Sequence, residues 1–216
     1  MTKLHINQQT DILAVIDVQN DFLPGGLLGV ENGDQIIPVI NNLLSSKFHR
    51  AFATQDWHPQ DHISFKCNHP NHSNNKIILP YGKQRLWPTH AVQNTNGAAL
   101  APSLHQQYFQ LIIRKGMHKN IDSYSAFYEN DKKTSTGLMG WLQNLGITRI
   151  FLTGLAEDVC VAYSAKDAIK AGLKTFIISD ATKPVASECE QTLNNDFRRD
   201  LVSFGATYLN SHQLLY

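Results

Sequence analysis

Four apolar stretches of this 216-residue chain each run into a side chain able to move a proton, hold a cation or attack a carbonyl. The first, 12-ILAVIDV-18, reaches Asp17, and 51-AFATQ-55 leads to Asp56 and His58. Then 111-LIIRK-115 ends on Lys115, and 150-IFLTG-154 turns through Asp158 to Cys160. A cysteine where a strand gives way to a helix, with Asp158 as N-cap, meets free amide N–H groups and the positive end of the helix dipole. Both favour thiolate, and the same N–H groups can hold the oxygen of a tetrahedral intermediate. A free cysteine also serves as a small apolar filler, so local sequence leaves both readings open. A carboxylate inside an apolar strand is costly unless paired. Asp17 is therefore either an anchor for a neighbouring loop or the proton carrier for a thiol. Lys115 is either a stem lying along apolar surface or the charge partner of such a pair.

A third group lies in 56-DWHPQDH-62 and 87-WPTH-90. Asp56 and His58, two apart in extended chain, project to one side, and His90 can complete an Asp/His/His set with positions left for water or substrate. Such an O/N/N set suits zinc, iron or manganese. His62 and Ser64 are candidate accessory contacts, direct or through water. Five of the ten histidines fall between His58 and His90. That density separates the long, weakly periodic stretch 56–97 from an ordinary surface loop, because long loops in compact domains tend to be functional or disordered. His69 and His72, within 67-CNHPNHSNN-75, read as a solvated excursion.

The elements that must position these groups follow from periodicity. Near-continuous apolar runs at 12–18, 51–55, 111–114, 150–154 and 175–179, with a weaker one at 205–209, read as strands buried on both faces. Helical spacing appears at about 33–46, 137–145, 158–172 and 185–203, with Ile36, Ile37, Ile40, Leu43 and Leu44 forming one apolar face. Alternating strands and helices with short links predict a single α/β domain over 1–216. It is doubly wound on a mostly parallel sheet of about six strands. In such a sheet ligands sit outside the carboxyl ends of the strands, where Asp17, Asp56, Lys115 and Cys160 all fall.

Composition bounds the rest. Nineteen basic and eighteen acidic side chains leave a formal charge of +1, with no basic stripe for nucleic acid or an anionic membrane. The amino-terminal stretch has no apolar signal core, and no run approaches the ~20 residues of a membrane span. Three cysteines, Cys67, Cys160 and Cys189, do not make a disulfide framework, which predicts a reduced, cytoplasmic protein.

In order along the chain, DVQNDF followed by PGG, QDWHP with HISF, RLWP with its histidine, RKG, DSYSAF and TGLAEDVCV resemble the nicotinamidases of the isochorismatase-like cysteine hydrolases. The resemblance runs from about residue 12 to 182. It implies a hydrolase that turns nicotinamide, and pyrazinamide, into the acid and ammonia as part of pyridine nucleotide salvage. It also implies a catalytic Asp17, Lys115 and Cys160, and a divalent ion on Asp56, His58 and His90. Phe22, Leu28, Trp87 and Tyr124 would line the ring pocket. A cis Leu155–Ala156 bond would aim the N–H groups of Ala156 and Cys160 at the oxyanion. Two positions depart from the family pattern: Glu157 stands where a small polar residue is frequent, and Val159 where a histidine or aromatic often precedes the cysteine. A sister amidase acting on another small amide would share the fold without needing the metal. The implied partner is a small molecule, with homo-oligomerisation left open.

Overall fold

The structure, a computed structural model, describes residues 3–185 and 197–216. Its strands are β1 (Leu4–His5), β2 (Asp11–Ile16), β3 (Ala51–Asp56), β4 (Lys76–Leu79), β5 (Gly82–Arg85), β6 (Leu111–Lys115), β7 (Arg149–Leu155), β8 (Lys174–Lys183), β9 (Thr207–Leu209) and β10 (Leu214–Leu215). The helices are α1 (Ile37–Ser46), α2 (Leu138–Asn144) and α3 (Ala162–Lys170), and residues 197–204 are also helical.

Six strands form one sheet in the order β6-β3-β2-β7-β8-β9, every pairing parallel. Counted along the chain these are 3-2-1-4-5-6, so the order reverses between β2 and β7. That switch point opens a crevice at the carboxyl ends of the two central strands. Both faces of the sheet are covered, as the continuous apolar runs require. Leu13 and Val15 of β2 pack with α1 on one side, while Ile12, Ala14 and Ile16 pack with α2 and α3 on the other. All five apolar residues singled out in 33–46 are buried, though the helix enters through a 3-10 turn at Gly33–Ile36.

Three expectations change. The stretch 56–97 is not a plain loop: it contains the β4–β5 hairpin and short bridges joining His58 to Val92 and Phe65 to Trp87. Only Ile77 in β4 and Gln84 in β5 are buried, which is too little alternation to read from sequence. β1 and β10, two residues each, pair in parallel and carry no periodic signal at that length. Asp158 is not the N-cap before Cys160. Residues Glu157–Val161 form a π-helical turn with Ala156 at its N-cap, and the Asp158 carboxylate instead accepts the Val185 N–H at 2.9 Å. The expected helix at 185–203 lies partly outside the described residues, as does Cys189.

Candidate active site

The ends of β2, β3, β6 and β7 bring the expected groups together around one ammonium. Lys115 closes β6 opposite Asp56 at the end of β3, and its side chain is 0% exposed. Its Nζ lies 2.8 Å from Asp17 Oδ2 and donates to Asp56 Oδ1, to the Ser123 carbonyl at 3.0 Å and to Cys160 Sγ at 3.6 Å. Burial alone would depress the lysine, but Asp17, Asp56 and Cys160 around it hold its pKa well above the ordinary value.

Asp17 leaves β2 with φ +48°, a left-handed conformation that aspartate tolerates better than most residues. Thr54 fixes it twice: the hydroxyl donates to Asp17 Oδ1 at 2.6 Å and accepts the Asp17 N–H at 3.1 Å. Burial, with Asp56 nearby, raises the Asp17 pKa against the opposing pull of Lys115.

Cys160 is buried in the π turn after β7. The chain reaches it through Gly154, where a Cβ would come 2.0 Å from the Ile16 carbonyl oxygen at φ +103°. The Leu155–Ala156 bond is cis. The Ala156 carbonyl accepts from Val159 and Val161, bracketing Cys160. The electropositive corner was expected to lower the thiol pKa. Instead burial pushes it well up, with Asp17 and Asp56 adding to the rise against the opposing pull of Lys115. A thiol of raised pKa therefore stands next to a carboxylate of raised pKa.

Asp56 serves both constellations. One oxygen faces Lys115, while Oδ2 lies 3.5 Å from His58 Nε2 and 3.8 Å from His90 Nε2. The His58 Nδ1 donates to the Gly116 carbonyl at 2.9 Å and the His90 Nδ1 to the Pro88 carbonyl at 2.7 Å. Carbonyls accept only, so these bonds place the ring protons on Nδ1 and turn both Nε2 lone pairs toward the carboxylate. One donor atom from each residue lies within 4.8 Å of the others. Against burial, Asp56 raises the His58 pKa, which marks a place where a positive charge is wanted. The set fits a divalent cation. His62 stacks on His58 with centroids 4.2 Å apart, and its nitrogens engage Ser64 Oγ at 2.7 Å and the Ile121 carbonyl at 3.2 Å. His62 and Ser64 thus touch the set through the His58 ring.

Above these groups a pocket of about 410 Å³, mouth included, is lined by Phe22, Leu28, Val30, Trp87, Tyr124, Val159 and Val185, with Asp56, His90, Asp122, Ala156 and Cys160 at its base and walls. Phe22, Leu28, Trp87 and Tyr124, the four residues expected around a ring, are all in its lining. The Trp87 indole donates to the Tyr124 hydroxyl at 3.0 Å, and Arg85 covers the outer face of Trp87 at 4.1 Å. An apolar slot with a thiol, a carboxylate and an imidazole edge at its floor suits a flat heteroaromatic amide.

The isochorismatase domain profile matches residues 11–207. The chain belongs to the isochorismatase family. Over 217 aligned residues, all of both chains, it is 48% identical to a nicotinamidase of Acinetobacter baylyi. A solved structure from L. infantum in complex with nicotinate is 37% identical, with a TM-score of 0.86 over 99% of this chain and 98% of that one. The Pyrococcus horikoshii pyrazinamidase, solved with zinc, is 30% identical, with a TM-score of 0.73 over 93% and 98%.

Within this isochorismatase fold, residues that support the site escaped sequence reasoning. Gln19 clamps Asp56, its amide accepting the Asp56 N–H and donating to the Asp56 carbonyl, both at 2.8 Å. Asp21 accepts the N–H of Ala91, next to His90, at 2.7 Å. With Asp17 they form an every-second-residue polar series, D-x-Q-x-D, directly after an apolar strand. That pattern was the available signal. Asp122, which opens the DSYSAF segment, and Val30 also line the pocket, Val30 without any local signature.

Proposed function

We propose that this chain hydrolyses nicotinamide to nicotinate and ammonia through a thioester on Cys160. The observation that carries the reading is the single buried ammonium of Lys115, which touches Asp17, Cys160 and the carboxylate that faces two imidazoles. Asp17 takes the thiol proton as the sulfur attacks the carboxamide carbon, and Lys115 offsets the two negative charges. The N–H groups of Ala156 and Cys160 receive the developing oxyanion. Asp17 returns its proton to the leaving nitrogen, the C–N bond breaks and ammonia departs. Asp17 then deprotonates a water that attacks the thioester carbonyl; nicotinate leaves and the thiol is restored. Phe22, Leu28, Trp87 and Tyr124 hold the ring flat over the thiol. Asp56, His58 and His90 would hold one divalent ion, zinc by similarity to the P. horikoshii protein, with iron or manganese also compatible with the donors. When bound it supplies Lewis acidity toward the ring nitrogen and so orients the ring. Pyrazinamide keeps both the carboxamide and a ring nitrogen in the same place and is a second substrate.

This reading makes 1–216 one catalytic domain acting in the cytoplasm; among the described residues no helix is long and apolar enough to cross a membrane. Ammonia release by purified protein from nicotinamide, with and without a chelator, tests it. Chelator-sensitive release is expected. Release from another small amide, with none from nicotinamide, would favour the sister-amidase reading.

A further inference from the structure

We propose that Arg198 is a positioning residue for the turn that carries Cys160, acting through Glu157. The inference rests on Cys160 being the nucleophile and adds a residue from beyond β8 that touches neither pocket nor thiol. Glu157 is fully buried although it stands between Ala156 and Cys160. Both its oxygens are taken by one guanidinium: Arg198 Nε donates to Oε1 at 2.7 Å and Nη2 to Oε2 at 2.6 Å. Such a fork fixes direction as well as distance.

The pair is asymmetric. The Arg198 side chain is 45% exposed, whereas the Glu157 side chain is 0% exposed. Without the guanidinium, arginine's end of the pair loses little, but the fully buried carboxylate keeps the neighbouring Tyr208 hydroxyl and no positive charge from the pair. It must then take up a proton or drag the turn toward water. Glu157 does not line the substrate pocket; Ala156 before it and Val159 and Cys160 after it do. A shift at Glu157 therefore moves the thiol and both proposed oxyanion donors together. Trp87, His58 and His90, carried by other segments, keep their places. The departure at position 157 thus acts behind the turn and leaves the pocket rim to Val159.

The consequence is a split between binding and chemistry. Arg198→Ala should lower kcat on nicotinamide by about ten- to a hundredfold, the scale of an ångström-sized misplacement, with KM little changed. Arg198→Lys keeps the charge without the fork and should recover part of the loss. Glu157→Gln combined with Arg198→Ala removes the stranded charge and should recover more activity than Arg198→Ala alone retains. The rate of Cys160 alkylation by iodoacetamide, read by mass spectrometry, should rank the variants in the same order and needs no turnover. Should Arg198→Ala fail to fold by circular dichroism, the Arg198→Lys and Glu157→Gln proteins provide the same comparison. An unchanged kcat per folded molecule, a loss that tracks only the folded fraction, or a double variant no better than Arg198→Ala would each overturn the proposal. Turnover by Cys160→Ala would instead overturn the nucleophile reading, while the alkylation ranking of the other variants would still report on the turn.

Discussion

Lys115 and Asp17 illustrate how a side chain's role is set by what surrounds it. An ammonium at a strand end normally reaches water along its own stem; here it is enclosed by two carboxylates, a carbonyl and a thiol. The positive charge survives because Asp17 and Asp56 outweigh the cost of desolvation. Asp17 experiences the opposite balance, its pKa lying above the ordinary 3.8 through burial and the nearby Asp56. To accept the thiol proton it must be ionised. Activity should therefore rise with pH through that raised value, giving kcat/KM an acid limb above 3.8. Asp17→Asn should lose nearly as much activity as Asp17→Asn combined with Cys160→Ala, because groups that act as a unit are not additive. Cys67→Ala, at an exposed position, should stay active. Wild-type rates in Asp17→Asn across neutral pH would make the aspartate purely structural.

At the scale of elements, each strand end delivers its functional residue because a neighbouring element holds it there. The β2 exit supplies Gln19 and Asp21, which lock the backbone at Asp56 and beside His90. The β6 exit supplies Gly116, which the His58 ring packs against. A Cβ on Gly116 would lie 2.4 Å from His58 Cε1, at φ +66°. Gly116→Ala should therefore displace His58 and break its bond to the Gly116 carbonyl. Losing such an outer bond to a ligating histidine typically costs 10–100-fold in metal affinity. Competition against a chelator measures it, and wild-type affinity in Gly116→Ala would show that the ring can yield without cost. The π turn has the same character. Asp158, read from the sequence as an N-cap, is committed instead to Val185, and Glu157 beside it to Arg198.

Across the whole molecule, the strand order decides which chemistries meet. The reversal between β2 and β7 sets Asp17 and Cys160 on either side of the central crevice, and β3 and β6 add Asp56 and Lys115 from one flank. The imidazoles arrive from the long excursion after β3, whereas the proposed oxyanion donors, Ala156 and Cys160, follow β7. In the proposed reading, an ion held there would orient the ring nitrogen rather than polarise the carboxamide. Nicotinamide should then be cleaved much faster than benzamide, which has the carboxamide without that nitrogen. Stripping the metal, or His58→Ala, should narrow the gap by slowing nicotinamide. Equal rates on the two substrates with metal bound would reject the orienting role.

The alternation of apolar runs and helical spacing carried the sheet, its parallel sense and the six strands in the sequence itself, because strands buried on both faces must be apolar throughout. Residue type and position at strand ends also marked Asp17, Asp56, His58, Lys115 and Cys160 as candidates, and the family resemblance supplied the roles expected of them. The hairpin within 56–97 was illegible because only two of its residues are buried, and the two-residue pairing of β1 with β10 was too short to have a period. Tertiary structure alone decided that one lysine bridges the thiol and the candidate metal set, that burial raises the Cys160 pKa, and that Glu157 turns away from the pocket to Arg198. Charge balance and desolvation depend on which segments pack together, and separation along the chain does not encode that.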